Sequence, residues 1–244
     1  MPTPNRRQVF ALLGGSLGVI GVPLLARPVD RKTNQPRIVI VGSGAGGAAT
    51  ARALTGLVPG ASVTVVDAEQ TIAACYRGND FLAGLASFND ISFSREHCKT
   101  GRARQVTARV ESINVDAKTL VIRGGVVMPW DILVLAGGVS MQTDSIEGYT
   151  ADTPDVLPHA WSGGDQLALL RQQLVGMEDG GTFLVASPPG RYRCPPAVYE
   201  RVSLVANYFQ RIKPNSKIVV LDGKSGFINQ AVIEDAWQQL PGYD

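Results

Sequence analysis

The run Arg37-Ile-Val-Ile-Val-Gly42-Ser-Gly44-Ala-Gly46-Gly47 sets closely spaced glycines between an apolar strand and an alanine-rich helix. That spacing suits a dinucleotide. Gly42 permits a tight turn, Gly44 lets a pyrophosphate approach the backbone, and Gly47 lets helix pack against strand. Gly46 completes the loop, and the phosphates would sit on the helix N-terminus, where free N–H groups and the helix dipole favour negative charge. Asp67 follows 20 residues after Gly47, where a carboxylate accepts hydrogen bonds from a ribose. A second strand, Gly181-Thr-Phe-Leu-Val-Ala186, leads into Ser187-Pro-Pro-Gly-Arg-Tyr-Arg-Cys194-Pro-Pro196. There prolines and a cysteine stand in place of the glycines, which points to thiol chemistry.

The elements that must position these residues are legible from periodicity. Arg37–Val41 reads as a buried strand, residues 46–57 as a helix, Pro59-Gly60 as a turn and 62–66 as the next strand. Residues 106–115 and 119–123 alternate as half-buried strands around a turn at 116–118, an antiparallel insert. Residues 131–138 form another buried strand ending in Ala136, Gly137 and Gly138, as expected where backbone approaches a cofactor. A helix over 165–177 precedes the second unit, whose own helix covers 197–211 and whose next strand, 217–221, ends at Asp222. The fold class is therefore α/β, with two Rossmann-like units of the FAD- or NAD(P)-binding kind, parallel sheets and an antiparallel β insert.

With 244 residues, 45% hydrophobic and 18% charged, the chain can bury a large core. The formal charge of +2 comes from its start: five basic residues and Asp30 precede Arg37, leaving 18 basic against 20 acidic residues beyond. No basic stripe remains for nucleic acid, which is excluded as a partner. Residues 9–26 are uncharged and follow Asn5-Arg6-Arg7-Gln8, the layout of a twin-arginine export signal leading to the periplasm. Eighteen uncharged residues also reach the lower limit for a membrane anchor, but Gly14, Gly15, Gly18, Gly21 and Pro23 make a poor membrane helix. Cleavage near Ala26 would leave no stable membrane span. Cys75, Cys98 and Cys194 match no zinc spacing, and only His97 and His159 could add to them, so no metal site is expected.

The more specific signals are Ala74-Cys75-Tyr76-Arg77-Gly78-Asn79, Pro158-His-Ala-Trp161 and Arg193-Cys194-Pro-Pro-Ala-Val-Tyr199-Glu200-Arg201, together with the Gly42 loop and residues 131–138. In these the chain resembles the flavoprotein subunit of flavocytochrome c sulfide dehydrogenase. That family is a branch of the two-dinucleotide-domain disulfide oxidoreductases, which include sulfide:quinone oxidoreductase. The resemblance implies FAD, bound covalently to Cys75 through an 8α-thioether, with Cys194 in a redox-active disulfide beside the flavin. It also implies sulfide as substrate and a c-type cytochrome subunit as electron acceptor. From the residues alone Cys75 also suits an inert buried thiol. Pro195 and Pro196 suit a helix start, which would hold the Cys194 sulfur near the positive helix end and favour its thiolate. Glu200, six residues on, faces either the same pocket as a proton acceptor or donor, or solvent as an ordinary helix carboxylate.

The expected boundaries are an export signal and linker over 1–36, an FAD-binding domain over 37–147 and an incomplete NAD-binding-like domain over 148–244. Family members continue well past the position of Asp244, so a shortened chain is expected, lacking the partner cysteine of Cys194 and turning over poorly; Cys98 is a poor substitute partner. The alternatives are a sulfide:quinone oxidoreductase and a non-catalytic flavin-binding protein. A nicotinamide-dependent reductase is disfavoured, because Pro188, Pro189 and Arg191 occupy the loop that would need glycines for a second pyrophosphate.

Overall fold

β1 (Arg37–Val41) is the strand before the glycine loop, and its three central residues, Ile38, Val39 and Ile40, are buried. An unbroken apolar run is what a central parallel strand needs, because both of its faces are covered. The computed structural model, which describes residues 35–94, 101–143, 146–190 and 192–240, shows the two covers. α1 (Ala45–Leu57) lies over one face, where Ile38 and Ile40 cluster with Ala51 and with Val63 and Val65 of β2 (Ser62–Asp67). On the other face Val39 and Val66 meet Leu120, Ile122 and Trp130. The two-residue period of the strand thus sorts its side chains between helix and insert. The expected export segment, His97, Cys98, Arg191 and residues 241–244 lie outside the described residues.

β1 pairs in parallel with β2 on one side and β9 (Ile132–Leu135) on the other, and β2 pairs in parallel with β5 (Arg104–Thr107). The order β5-β2-β1-β9 reverses at β1: the chain first steps outward, then returns to the far side. In open parallel sheets ligands bind beyond the carboxyl ends of the strands at such a reversal.

Residues 106–115, expected as one strand of a hairpin, serve two sheets instead. Their start belongs to β5 in the parallel sheet, and after Ala108 and Arg109 the chain enters β6 (Val110–Asn114). β6, β7 (Thr119–Ile122) and β8 (Val126–Pro129) form the antiparallel sheet, with Gly124 and Gly125 at positive φ between the last two. Alternation marks a half-buried strand but does not name its partner, so it runs unbroken through the change of sheet. A short hairpin, β3 (Thr71–Ala73) with β4 (Ser92–Ser94), brackets α2 (Gly78–Leu82) and α3 (Phe88–Ile91). The second parallel pair is β10 (Thr182–Ser187) with β11 (Lys217–Asp222). Against it pack α4 (Asp165–Gly176) and α5 (Ala197–Ile212), through Leu174, Val205, Tyr208 and Phe209. α6 (Gln230–Trp237) follows. Among the described residues no helix is long and apolar enough to cross a membrane.

Two adjacent glycines of α1 meet opposite surroundings. A Cβ on Gly47 would lie 1.9 Å from the Gly42 carbonyl oxygen, whereas one on Gly46 meets nothing within 4 Å. Gly47→Ala is expected to destabilise the chain by about 1–3 kcal/mol through overpacking against backbone. Gly46→Ala is expected to stabilise it by about 0.5–1 kcal/mol through helix propensity. Urea denaturation of the two variants reads the opposite signs.

Candidate functional site

The carboxyl ends of β1, β2 and β9 and the start of α1 enclose a cleft of about 820 Å³. Gly42, Gly44, Asp67, Ala136 and Gly137 stand in its wall. Gly42 sits at φ +98°, and a Cβ there would stand 2.3 Å from the Ala136 carbonyl oxygen, so glycine is what lets the two strand ends meet. The Cβ position of Gly44 is open. α1 starts there with no side-chain cap and no acidic residue in its first turn, which leaves its N–H groups and positive dipole end to an anion. Gly47 supports the turn from behind, while Gly46 is exposed and stands outside the cleft wall.

Asp67 is firmly held. Ser43 donates to its Oδ2 from the backbone N–H at 2.6 Å and from Oγ at 2.9 Å, and the Glu69 N–H reaches Oδ1 at 3.0 Å. The glycine loop therefore orients the carboxylate that the sequence assigns to a ribose. Sequence reasoning passes over Ser43, the buried residue between the first two glycines. A turn that a Cβ would fill, an uncapped helix start and a fixed carboxylate fit a dinucleotide such as FAD.

Two more wall segments lead to the cysteines. Ala73 precedes Ala74-Cys75, and Ser162 follows Trp161; they meet through Gly163 (φ +81°), where a Cβ would lie 2.7 Å from the Ala73 carbonyl oxygen. Beyond this contact Arg201 of α5, 5% exposed, joins three segments. Its Nε donates to Asn79 Oδ1 at 3.0 Å, its Nη1 to the His159 carbonyl oxygen at 3.0 Å and its Nη2 to that of Ala160 at 2.8 Å. The guanidinium also lies 3.5 Å from the centroid of the Trp161 ring. Burial pulls the Arg201 pKa down to about 9, with the Glu200 charge opposing, so the group stays cationic at neutral pH. The Trp161 N–H donates to His159 Nδ1 at 3.1 Å, and burial followed by the Arg201 charge lowers the imidazole pKa. His159 is therefore neutral, with its proton on Nε2.

Asn79 links this cluster to the candidate acid. Its Nδ2 donates to Glu200 Oε2 at 2.6 Å and to the Ala197 carbonyl oxygen at 3.1 Å. Glu200 is exposed in the first turn of α5 but fixed by this bond. Cys75 opens a single 3₁₀ turn, Cys75–Arg77, and is half-buried; it lies two residues past the wall residue Ala73 and outside the wall itself. Cys194 is an exposed free thiol at φ +55°, three residues ahead of α5. Neither Asn79 nor Arg201 is singled out by sequence reasoning. A signal was present: Val198, Arg201, Val202 and Val205 trace the buried stripe of α5, and a charge within that stripe must have partners.

In the second unit the loop after β10 is closed over rather than open. A Cβ on Gly223 would lie 2.8 Å from Pro189, so the proline ring packs against the end of β11. Asp222 occupies there the place that Asp67 holds in the first unit, and it accepts hydrogen bonds from the Tyr199 hydroxyl and from Lys224 Nζ, the latter at 2.6 Å. Among the described residues no three His, Cys, Asp or Glu side chains gather as metal ligands.

Residues 36–169 match the family model for pyridine nucleotide-disulphide oxidoreductases, and residues 167–243 match the central part of the sulfide dehydrogenase [flavocytochrome c] flavoprotein chain. Among solved structures, the sulfide:quinone oxidoreductase of the hyperthermophilic bacterium Aquifex aeolicus is similar at a TM-score of 0.61 and 20% identity, over 83% of this chain and 49% of that one. NDH2 from Plasmodium falciparum is similar at a TM-score of 0.64 and 14% identity, over 84% of this chain and 46% of that one. Bacillus anthracis CoADR-RHD gives 0.57 and 14%, over 84% and 37%. The chain thus spans half the length of these proteins or less, and at such identities the likeness is one of fold. With over half of its residues matching that family model, the chain belongs to the pyridine nucleotide-disulphide oxidoreductases, and its second part resembles the flavocytochrome c sulfide dehydrogenase flavoprotein, as the cysteine motifs imply.

Proposed function

We propose that this chain is the flavin-bearing part of a sulfide-oxidising enzyme that passes electrons to a c-type cytochrome subunit. The observation that carries the reading is the buried Arg201–Asn79 cluster. It ties the Cys75, Pro158–Trp161 and Cys194 segments together behind the wall of a nucleotide cleft. The match of residues 167–243 supports both the sulfur substrate and the cytochrome acceptor.

FAD, when bound, supplies a two-electron acceptor that can release its electrons singly. In this reading residues 37–147 hold it: the Gly42 loop and α1 take the pyrophosphate, Asp67 a ribose, and Ala136 with Gly137 the approach at the end of β9. Cys75 carries the flavin as a thioether. Cys194, in the second domain (residues 148–244), is one half of the redox-active disulfide that the resemblance implies. Glu200, oriented by Asn79, takes the proton that hydrosulfide loses. Export by the segment around Arg6-Arg7 delivers the protein to the periplasm.

If Cys75 is the attachment point, FAD should remain with the polypeptide through acid precipitation and denaturing electrophoresis. Cys75→Ser should free it while leaving reversible binding at the Gly42 loop, and flavin in the supernatant of mature wild-type protein would end the covalent reading. Where a partner cysteine for Cys194 is present, anaerobic sulfide should bleach the bound flavin, and Cys194→Ser should abolish that bleaching with flavin content unchanged. NADH, in contrast, should leave the oxidised flavin spectrum as it was; rapid, saturable bleaching by NADH would show the second loop to be misread. The cluster itself is open to test by Arg201→Met, which strands Asn79 Oδ1 and two carbonyl oxygens. At about 1–3 kcal/mol for each buried group left unpaired, thermal unfolding should shift down by many degrees, more than for Arg201→Lys.

A further inference from the structure

Three adjacent strand ends divide the nucleotide cleft into steps. The glycine loop follows β1, Asp67 ends β2 and the Ala108–Arg109 link follows β5, and the three strands lie side by side in that order. Neighbouring strands stand about 4.8 Å apart, so each step suits one part of a nucleotide. A dinucleotide laid across these ends is fixed at two points, its pyrophosphate on the start of α1 and its ribose on Asp67. The base bonded to that ribose then comes over the end of β5. The Ala108 N–H donates to the Asp67 carbonyl oxygen at 2.8 Å, which holds the link directly beside the ribose carboxylate.

Ala108 and Val110 pack down on the buried cluster of Val66, Leu120, Ile122 and Trp130, whereas Arg109 between them is exposed and stands in the cleft wall. The cluster backs the link with close-packed apolar side chains, and the Arg123 N–H pins it from the other side by donating to the Arg109 carbonyl oxygen at 2.8 Å. The backbone here is thus fixed while the Arg109 side chain is not. Among the described residues its guanidinium makes no hydrogen bond or ion pair. A guanidinium is planar and weakly hydrated, and it stacks on aromatic faces.

We propose that Arg109 holds the base end of the dinucleotide, folding its free guanidinium over an adenine seated against the Ala108–Val110 link. This role rests on the FAD reading of the cleft and adds to it the side chain that grips the end of the ligand farthest from the flavin. Stacking, rather than charge pairing, is what the position supplies: the phosphates lie two strands away at β1, and the base lies at the arginine's own strand. ADP carries the same base, ribose and pyrophosphate without the flavin, so it reports on this end of the cleft alone.

The test titrates ADP and FAD calorimetrically into the 244-residue chain carrying Cys75→Ser and freed of flavin. Arg109→Ala should weaken both ligands by the same factor, about fivefold, as loss of a cation from an aromatic face implies. Arg109→Tyr keeps a flat stacking surface and removes the charge, so it should bind ADP as tightly as the arginine chain does. Tyrosine as weak as alanine would place the arginine's charge on the phosphates and overturn the proposal. So would ADP and FAD bound equally by the arginine and alanine chains, with the FAD reading of the cleft left standing. A chain with Arg109 in place that takes up neither ADP nor FAD overturns that reading and this one together.

Discussion

Taking a guanidinium out of water costs several kcal/mol, and Arg201 is buried with no buried carboxylate paired to it among the described residues. What offsets that cost is a set of acceptors drawn from distant parts of the chain: the Asn79 side chain, two consecutive carbonyl oxygens at His159 and Ala160, and the face of Trp161. A planar fork with fixed N–H directions can be satisfied only when all of these stand in one arrangement. The segments it collects are a short helix, a loop and the first turns of α5, none of which has a sheet ladder to set its position. The cation supplies what secondary structure does not. Through Asn79 its influence reaches Glu200, and through Trp161 and Ala73 it reaches the wall of the nucleotide cleft.

The two parallel units diverge in how they use the same backbone geometry. In the first, Gly42 and Gly47 remove every Cβ that would keep β1, α1 and β9 apart, and Ser43 braces Asp67 so that it stands in the cleft wall. In the second, Pro189 packs on Gly223 and Asp222 is taken up by Lys224 and Tyr199. The carboxylate that could meet a ribose has become part of an internal network. Proline in place of glycine fixes the loop and removes backbone donors, so the unit loses its means of cradling a phosphate.

Much of this was legible in the sequence. Apolar runs marked β1, β9, β10 and β11 because strands of a parallel sheet carry apolar side chains on both faces, although of these four only β1 is buried along its centre, and the glycine spacing located the cleft. Residues 106–115 misled, since alternation is the same in a parallel edge and an antiparallel insert. The cleft residues Gly42, Gly44, Asp67, Ala136 and Gly137 were foreseeable because their roles follow from backbone geometry alone. Ser43, Asn79, Arg201, Tyr192 and Lys224 were not, because each acts through a partner more than 20 residues away or across a loop. Polar side chains carry no periodicity of their own. Their significance appears only when the fold has removed them from water and every donor has to find an acceptor.

Cys194 shows how one loop position changes its chemistry while keeping its place ahead of a helix. Its backbone lies at φ +55°, in the region that glycine enters freely and that costs another residue about 1–3 kcal/mol. A cysteine held there is sustained by its surroundings: the Ala197 N–H donates to the Cys194 carbonyl oxygen at 3.0 Å, and Pro195 and Pro196 fix the backbone angles that lead into α5. In the first unit the corresponding helix start has an uncapped Gly44 and room for a phosphate. In the second it has an exposed sulfur. Both places stand at the start of a helix, and what differs is that one leaves room for a ligand while the other presents a side chain of the chain itself. Exchanging glycines for a Cys-Pro-Pro sequence thus replaces a turn open to a phosphate by one that presents a thiol ahead of a helix, which is the physical basis for the thiol chemistry proposed for the second unit.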